Sequence, residues 1–324
     1  MGALCGMPRA PPPRHVRLCV QTIEQLRSVQ HINPAMGEVY LPSVNAASQE
    51  CSFYRRHGAT SDPGDQAAAL SALPGELPAL LEALPGLLLH VDELRLYGLS
   101  PCQAAGLSRE TLPVAERLRR ILERDRAPLT TQRSPAERQP ATCRDFALLL
   151  TASLREMGRA ARVRCGFAGY FAPGVYDDHW VSEYWDESGQ RWRLADAQLD
   201  AEHRAHFGID FDPGQLPDGA FLNAGQAWQA WRQGREEAAC FRHGAAVGAP
   251  MLLINLARDR LALAKRETSA WDGWRAALPW EEGLDAVLLA EGDALADAIE
   301  HIGEGAAAPE LPPKQGFLGR PFWL

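Results

Sequence analysis

The chain has 324 residues, of which 33 are basic and 41 acidic, giving a formal charge of −8, and 46% of its side chains are hydrophobic. Such a chain holds one large domain with additions or two modest ones, and its net negative charge speaks against nucleic acid as a partner. It has no run of about 18 apolar residues to span a membrane, and its seven scattered cysteines show neither a disulfide framework nor metal-ligand spacing, so a cytoplasmic protein without metal or cofactor is expected.

Residues 1–38 mix Pro, Arg and Cys without periodicity and are expected to form a flexible extension. The next part, 39–112, is expected to be helical. Between Asp65 and Gly98 it is rich in Ala and Leu but broken by Pro74, Pro78 and Pro85, which predicts several short helices. Pro113 opens a helix with an apolar stripe of Val114, Leu118, Ile121 and Leu122, and Pro128 stops it. A Thr-, Ser- and Pro-containing loop then leads to CRDFALLLTASLREM. There Cys143, Phe146, Ala147, Leu150, Leu154 and Met157 fall on one helical face, with Thr142 as cap and Gly158 as stop.

ARVRCGFAGYF alternates and predicts a strand with Val163, Cys165, Phe167 and Phe171 on one side and two arginines on the other. The turn-rich APGVYDD places Asp177 and Asp178 in a turn. HWVSEYWDE is a second strand headed by His179, ESGQ a tight turn, and RWRLADAQL a third strand on which Trp192, Leu194, Asp196 and Gln198 share a face. From 211 to 324 the chain is expected to be helical again, ending in a Pro-rich tail.

Three residues carry the chemistry. A thiol attacks as thiolate, and a helix N-terminus offers Cys143 positive dipole charge and free N–H groups that also stabilise an oxyanion. His179 is suited to take the thiol proton and return it to a leaving amine. Asp196, on the neighbouring strand, is placed to orient the imidazole and stabilise its charged form. Gln132 and Gln139, upstream of the cysteine, are candidates for a second oxyanion donor.

The segments ATCRDFALLLTASLREMGRAARV, DDHWVSEYW and WRLADAQLD, with intervals of 36 and 17 residues between the three side chains, resemble the transglutaminase-like superfamily. The resemblance covers about 113–200. It implies a papain-like α+β core over 113–210, with the cysteine helix packed on an antiparallel sheet and further helices at both ends. It also implies that Cys143 is the nucleophile, His179 the base and acid, and Asp196 the orienting residue. The implied reaction is cysteine-dependent amide hydrolysis or acyl transfer through a thioester, on a peptide or small amide. Many members have Asp-Pro-Thr where this chain has Asp196-Ala197-Gln198, which loosens the inference about substrate more than that about the three residues. A binding or scaffold protein that keeps the fold without catalysis is the alternative.

Other residues have plainer readings. Cys165 and Cys240 are expected to be small buried hydrophobes. His203, His206 and His243 are expected to be ordinary surface or core histidines, since HRAH lacks a third metal ligand at useful spacing. Trp185, Trp192, Trp228 and Trp231 read as packing residues, and Trp180 as the one that could meet a substrate.

Overall fold

Proline punctuates the first third of the fold into short pieces. Helix α1 (Ala46–Arg55) is followed by α2 (Ala67–Ser71) and by α3 (Leu77–Ala83), which has Pro78 in its first turn. After the Leu84–Gly86 turn the leucine run continues as a short strand, β1 (Leu88–His90), instead of another helix. It becomes a strand because it pairs in parallel with β2 (Gln139–Ala141), far along the chain, and local periodicity cannot show that pairing. Between the two strands lies α4 (Val114–Arg124), which buries Val114, Leu118 and Ile121 as its apolar stripe predicts.

This computed structural model describes residues 46–100, 110, 113–269, 278, 280 and 283–303. They all belong to one compact unit, Val44–Leu324. The expected N-terminal extension, the C-terminal tail, Cys5, Cys19 and Cys102 lie outside the described residues.

The fold is α+β, and its centre is α5 (Cys143–Glu156) against a six-stranded sheet. Strands β3 (Ala161–Ala168), β4 (Tyr176–Asp186) and β5 (Arg191–Ala195) form an antiparallel meander. On the outer edge of β3 lies β6 (Phe221–Asn223). At the start of β4, β7 (Phe241–His243) pairs in parallel and carries β8 (Ala246–Val247). The remaining helices are α6 (Ala201–Phe207), α7 (Ala224–Arg232), α8 (Ala249–Leu263) and α9 (Ala286–Gly303).

Two local expectations change. Strand β4 begins at Tyr176, so Asp177 and Asp178 are strand residues, held there by the pairing of Tyr176 and Asp177 with β7. Strand β5 ends at Ala195, so Asp196 and Gln198 lie in the turn beyond it.

In β3 the arginine face is buried like the apolar face. Val163 and Cys165 pack into the core that includes α5. On the other side Arg162 reaches Glu50 and, at 2.6 Å, Glu183, while Arg164 forms a two-pronged pair with Asp259 of α8 at 3.0 and 2.8 Å. Guanidinium groups tolerate burial only with such partners, and loss of one partner costs about 3–5 kcal/mol. Helix α5 is likewise buried all round between sheet and N-terminal helices. Its Asp145 meets Arg117 at 3.0 Å and Arg144 at 3.2 Å.

Candidate functional site

Cys143 is the first residue of α5, and the start of that helix is pinned. The Asp145 carboxylate accepts from the Thr142 N–H at 2.8 Å and from the Thr142 hydroxyl at 3.2 Å. Such a cap fixes the first turn, where backbone N–H groups lack intrahelical acceptors. His179 is the fourth residue of β4 and faces Gly166 of β3 across the ladder. Gly166 is required here, because a Cβ at that position would fall 2.2 Å from the Leu222 carbonyl oxygen of β6. Asp196 directly follows Ala195, which pairs with Ser182 of β4, and its N–H donates to the Pro213 carbonyl at 2.8 Å.

The structure brings these three side chains together. His179 Nε2 meets Asp196 Oδ2 at 2.8 Å, and Cys143 lines the same cavity as His179, whose imidazole lowers the thiol. His179 and Asp196 are buried, whereas Cys143 is partly accessible. Two further donors hold Asp196: the Tyr170 hydroxyl at 2.6 Å and the Gln198 N–H at 2.9 Å. Burial opposes charge on His179, but attraction to Asp196 outweighs it and raises the imidazole well above its usual range. Burial likewise pushes Asp196 up, and His179 brings it below the ordinary carboxylate value. For Cys143, burial raises the thiol, and hydrogen bonds and charge from His179 and then His90 more than offset it, leaving it at about 7.

His90 is a residue that sequence reasoning missed. The β1–β2 register sets it opposite Ala141, two positions before Cys143, and so brings a second imidazole to the same sulfur. Its Nδ1 receives the Asp92 N–H at 3.3 Å and lies 3.8 Å from Glu93 Oε2. That same oxygen is bonded to His203 Nε2 at 2.6 Å and to the Gln198 side-chain amide at 3.0 Å. On its far side His203 meets Asp200 at 2.8 Å, and Asp200 also takes the Tyr97 hydroxyl at 2.7 Å. Burial alone would lower His203, yet its two carboxylate partners raise it to about 9. His203 is therefore a core histidine, buried inside an ionic cluster.

The sulfur opens on a cavity of about 780 Å³. One wall holds His90, Asp92, Glu93 and Gln198, and the other holds His179 with Asp177, Asp178, Arg242, His243 and Arg258. Asp178 is fixed by Asn255 Nδ2 at 2.9 Å, His243 Nδ1 at 2.9 Å and Arg258 at 3.3 Å. Arg242 pairs with Asp177 at 2.8 Å. Much of this wall comes from β7 and α8, about 65 to 80 residues beyond β4. Phe171 packs edge-on against the His179 ring, with centroids 5.0 Å apart.

Gln132 and Gln139 lie elsewhere. Gln132 donates to the Glu82 carbonyl at 3.0 Å, and Gln139 is buried in β2 opposite Leu88. Trp180 touches the cavity but is almost wholly buried in the core, so packing is its main part. Cys165 is buried as expected, and burial raises its thiol well above the usual range, whereas Cys240 is half-buried at the foot of β7. His206 is exposed. Among the described residues, no group of three or more His, Cys, Asp or Glu side chains is arranged to hold a metal ion, and no helix is long and apolar enough to cross a membrane.

No family model matches the chain. No curated protein matches it either. Among solved structures it is similar to the crystal structure of a "putative cysteine protease" from Cytophaga hutchinsonii, at 14% identity and a TM-score of 0.32, over 54% of this chain and 62% of that one. The chain thus spans less than two thirds of that structure's length, and so loose a likeness leaves the site to be read from its own geometry.

Proposed function

We propose that the chain is a cysteine-dependent amide hydrolase or acyltransferase with a papain-like, transglutaminase-like core, in which Cys143 is the nucleophile, His179 the base and acid, and Asp196 the orienting carboxylate. The observation that carries this reading is the series of Cys143, His179 and Asp196, with His179 bonded to Asp196 at 2.8 Å and set with Cys143 on one cavity of about 780 Å³.

The chemistry follows from that series. His179 takes the thiol proton, and the charge pair is favoured because the thiol lies at about 7 while Asp196 stabilises the imidazolium. The sulfur adds to an amide carbonyl, the π pair moves to oxygen, and N–H groups at the start of α5 meet the oxyanion. As the C–N bond breaks, His179 returns its proton to the departing amine and a thioester remains. Water then attacks with His179 as base, the C–S bond breaks, and the thiolate and a carboxylic acid are released. Transfer results when an amine replaces water. Hydrolysis is preferred, since a cavity lined largely by charged and polar side chains is accessible to water.

p-Nitrophenyl acetate tests the reading as a small acyl donor. Wild-type protein is expected to gain an acetyl group on Cys143 by mass spectrometry and to release nitrophenol, and Cys143→Ala should lose both. Undiminished turnover in Cys143→Ala would remove the mechanism, and a wild type that never acylates would favour a binding protein.

A further inference from the structure

We infer that His90 is a further catalytic residue, whose Nε2–H donates to the Cys143 sulfur at rest and to the carbonyl oxygen once that sulfur has attacked. The inference rests on the proposed role of Cys143 and supplies the second oxyanion donor that neither Gln132 nor Gln139 is placed to provide.

The parallel β1–β2 pair ends with His90 opposite Ala141, and the chain from Ala141 runs through Thr142 directly into Cys143. The strand pair therefore delivers the imidazole to the start of α5 on a rigid support, and both His90 and Cys143 line the cavity. The imidazoles of His90 and His179 thus share one cavity with the Cys143 sulfur.

The ring's orientation follows from its other partners. Nδ1 faces the Asp92 N–H at 3.3 Å and Glu93 Oε2 at 3.8 Å, which leaves Nε2 for the sulfur. Nε2 keeps a hydrogen in both the protonated ring and the neutral ring whose Nδ1 accepts from Asp92. His90 can therefore donate at every stage of the reaction.

The two imidazoles divide the work. His179 Nε2 is bonded to Asp196 at 2.8 Å, an arrangement that stabilises a newly gained proton while the ring's other nitrogen exchanges it with sulfur, amine and water. Among the described residues, no carboxylate lies within hydrogen-bonding distance of His90, because Glu93 is held by His203 and Gln198 and its oxygen stays 3.8 Å away. Its proton remains on Nε2 throughout. When the C–S bond forms and the carbonyl π pair moves to oxygen, the sulfur loses its negative charge and the adjacent oxygen acquires it. The donor's hydrogen bond shifts between neighbouring atoms, and no proton is transferred. The fixed negative charge of Glu93 adds partial positive character to the ring, which strengthens such a donor.

Two reagents separate this role from simple activation of the thiol. Iodoacetamide is attacked at a saturated carbon and forms no oxyanion at the reacting centre, whereas p-nitrophenyl acetate must form one. In His90→Ala, the limiting rate of Cys143 alkylation at high pH should stay within about threefold of wild type while acylation falls by about 10²–10³. His90→Gln, which keeps an N–H donor, should recover part of the acylation rate. Alkylation at Cys143 also reports that the pocket is intact. Parallel loss of both rates, or acylation unchanged in both variants, would overturn the role of His90. Acylation persisting in Cys143→Ala is a different result, since it removes the nucleophile itself whatever His90 does.

Discussion

Two imidazoles reach the Cys143 sulfur, each near a carboxylate, and the carboxylates are held differently. Asp196 stands 2.8 Å from His179, and its other partners, Tyr170 and the Gln198 N–H, aim it at that ring. Glu93 stands 3.8 Å from His90 and is bonded instead to His203 and Gln198. One ångström separates a hydrogen bond from mere proximity, and so a ring that can store a proton from one that keeps its own. A histidine beside an acid therefore says little until one knows what else the acid holds.

Neutralising each carboxylate in turn separates the two imidazoles most clearly. Asp196→Asn keeps the shape but removes the charge that stabilises the imidazolium, and turnover of p-nitrophenyl acetate should fall by about 10⁴, whereas Glu93→Gln should cost less than about tenfold. Equal losses would show that the two sides do the same work.

A smaller effect lies behind His90. His203 is raised to about 9 by Glu93 and Asp200, above the roughly 6.5 of an unfolded histidine. Its contribution to stability is thus fully present below about pH 6.5 and disappears as pH rises through about 9. Urea unfolding across that window should show wild type losing up to about 3 kcal/mol, with His203→Gln losing much less. A variant as pH-dependent as wild type would place the titrating group elsewhere.

The smallest difference is in the thiol itself. Alkylation of Cys143 should have its midpoint at about pH 7, because its two imidazoles together offset burial. His179→Gln should raise that midpoint further than His90→Gln, which should raise it by less than about one unit. The reverse order would exchange the two roles.

These two sides of the cleft were unequally legible. The apolar offsets from Cys143 to Met157 and the alternation from Ala161 to Phe167 mark α5 and β3 from local pattern alone, and Thr142 and Gly158 bound the helix as expected. His90 gave no such signal. It ends a leucine-rich run that looks helical, and only its pairing with residues 139–141 makes that run a strand. Asp177 and Asp178 follow Pro173 and Gly174, so a turn is the natural reading until β7 is known to pair beside them. Arg162 and Arg164 alternate as though they faced solvent, and their burial depends on Glu50, Glu183 and Asp259, which periodicity cannot associate with them. Local pattern reports what a segment tends to form, and these residues owe their places to partners remote in the chain.

The late strand β7 bears on how the protein is made. Cys143, His179 and Asp196 all precede residue 200, yet Arg242, His243 and Arg258, which complete the far wall and pair with Asp177 and Asp178, come after residue 240. During vectorial synthesis a nascent chain thus displays thiol, imidazole and carboxylate before the wall that encloses them exists. Uncompensated charge on the two aspartates disfavours early closure of the start of β4, so the cleft takes its final shape only when the later segment docks.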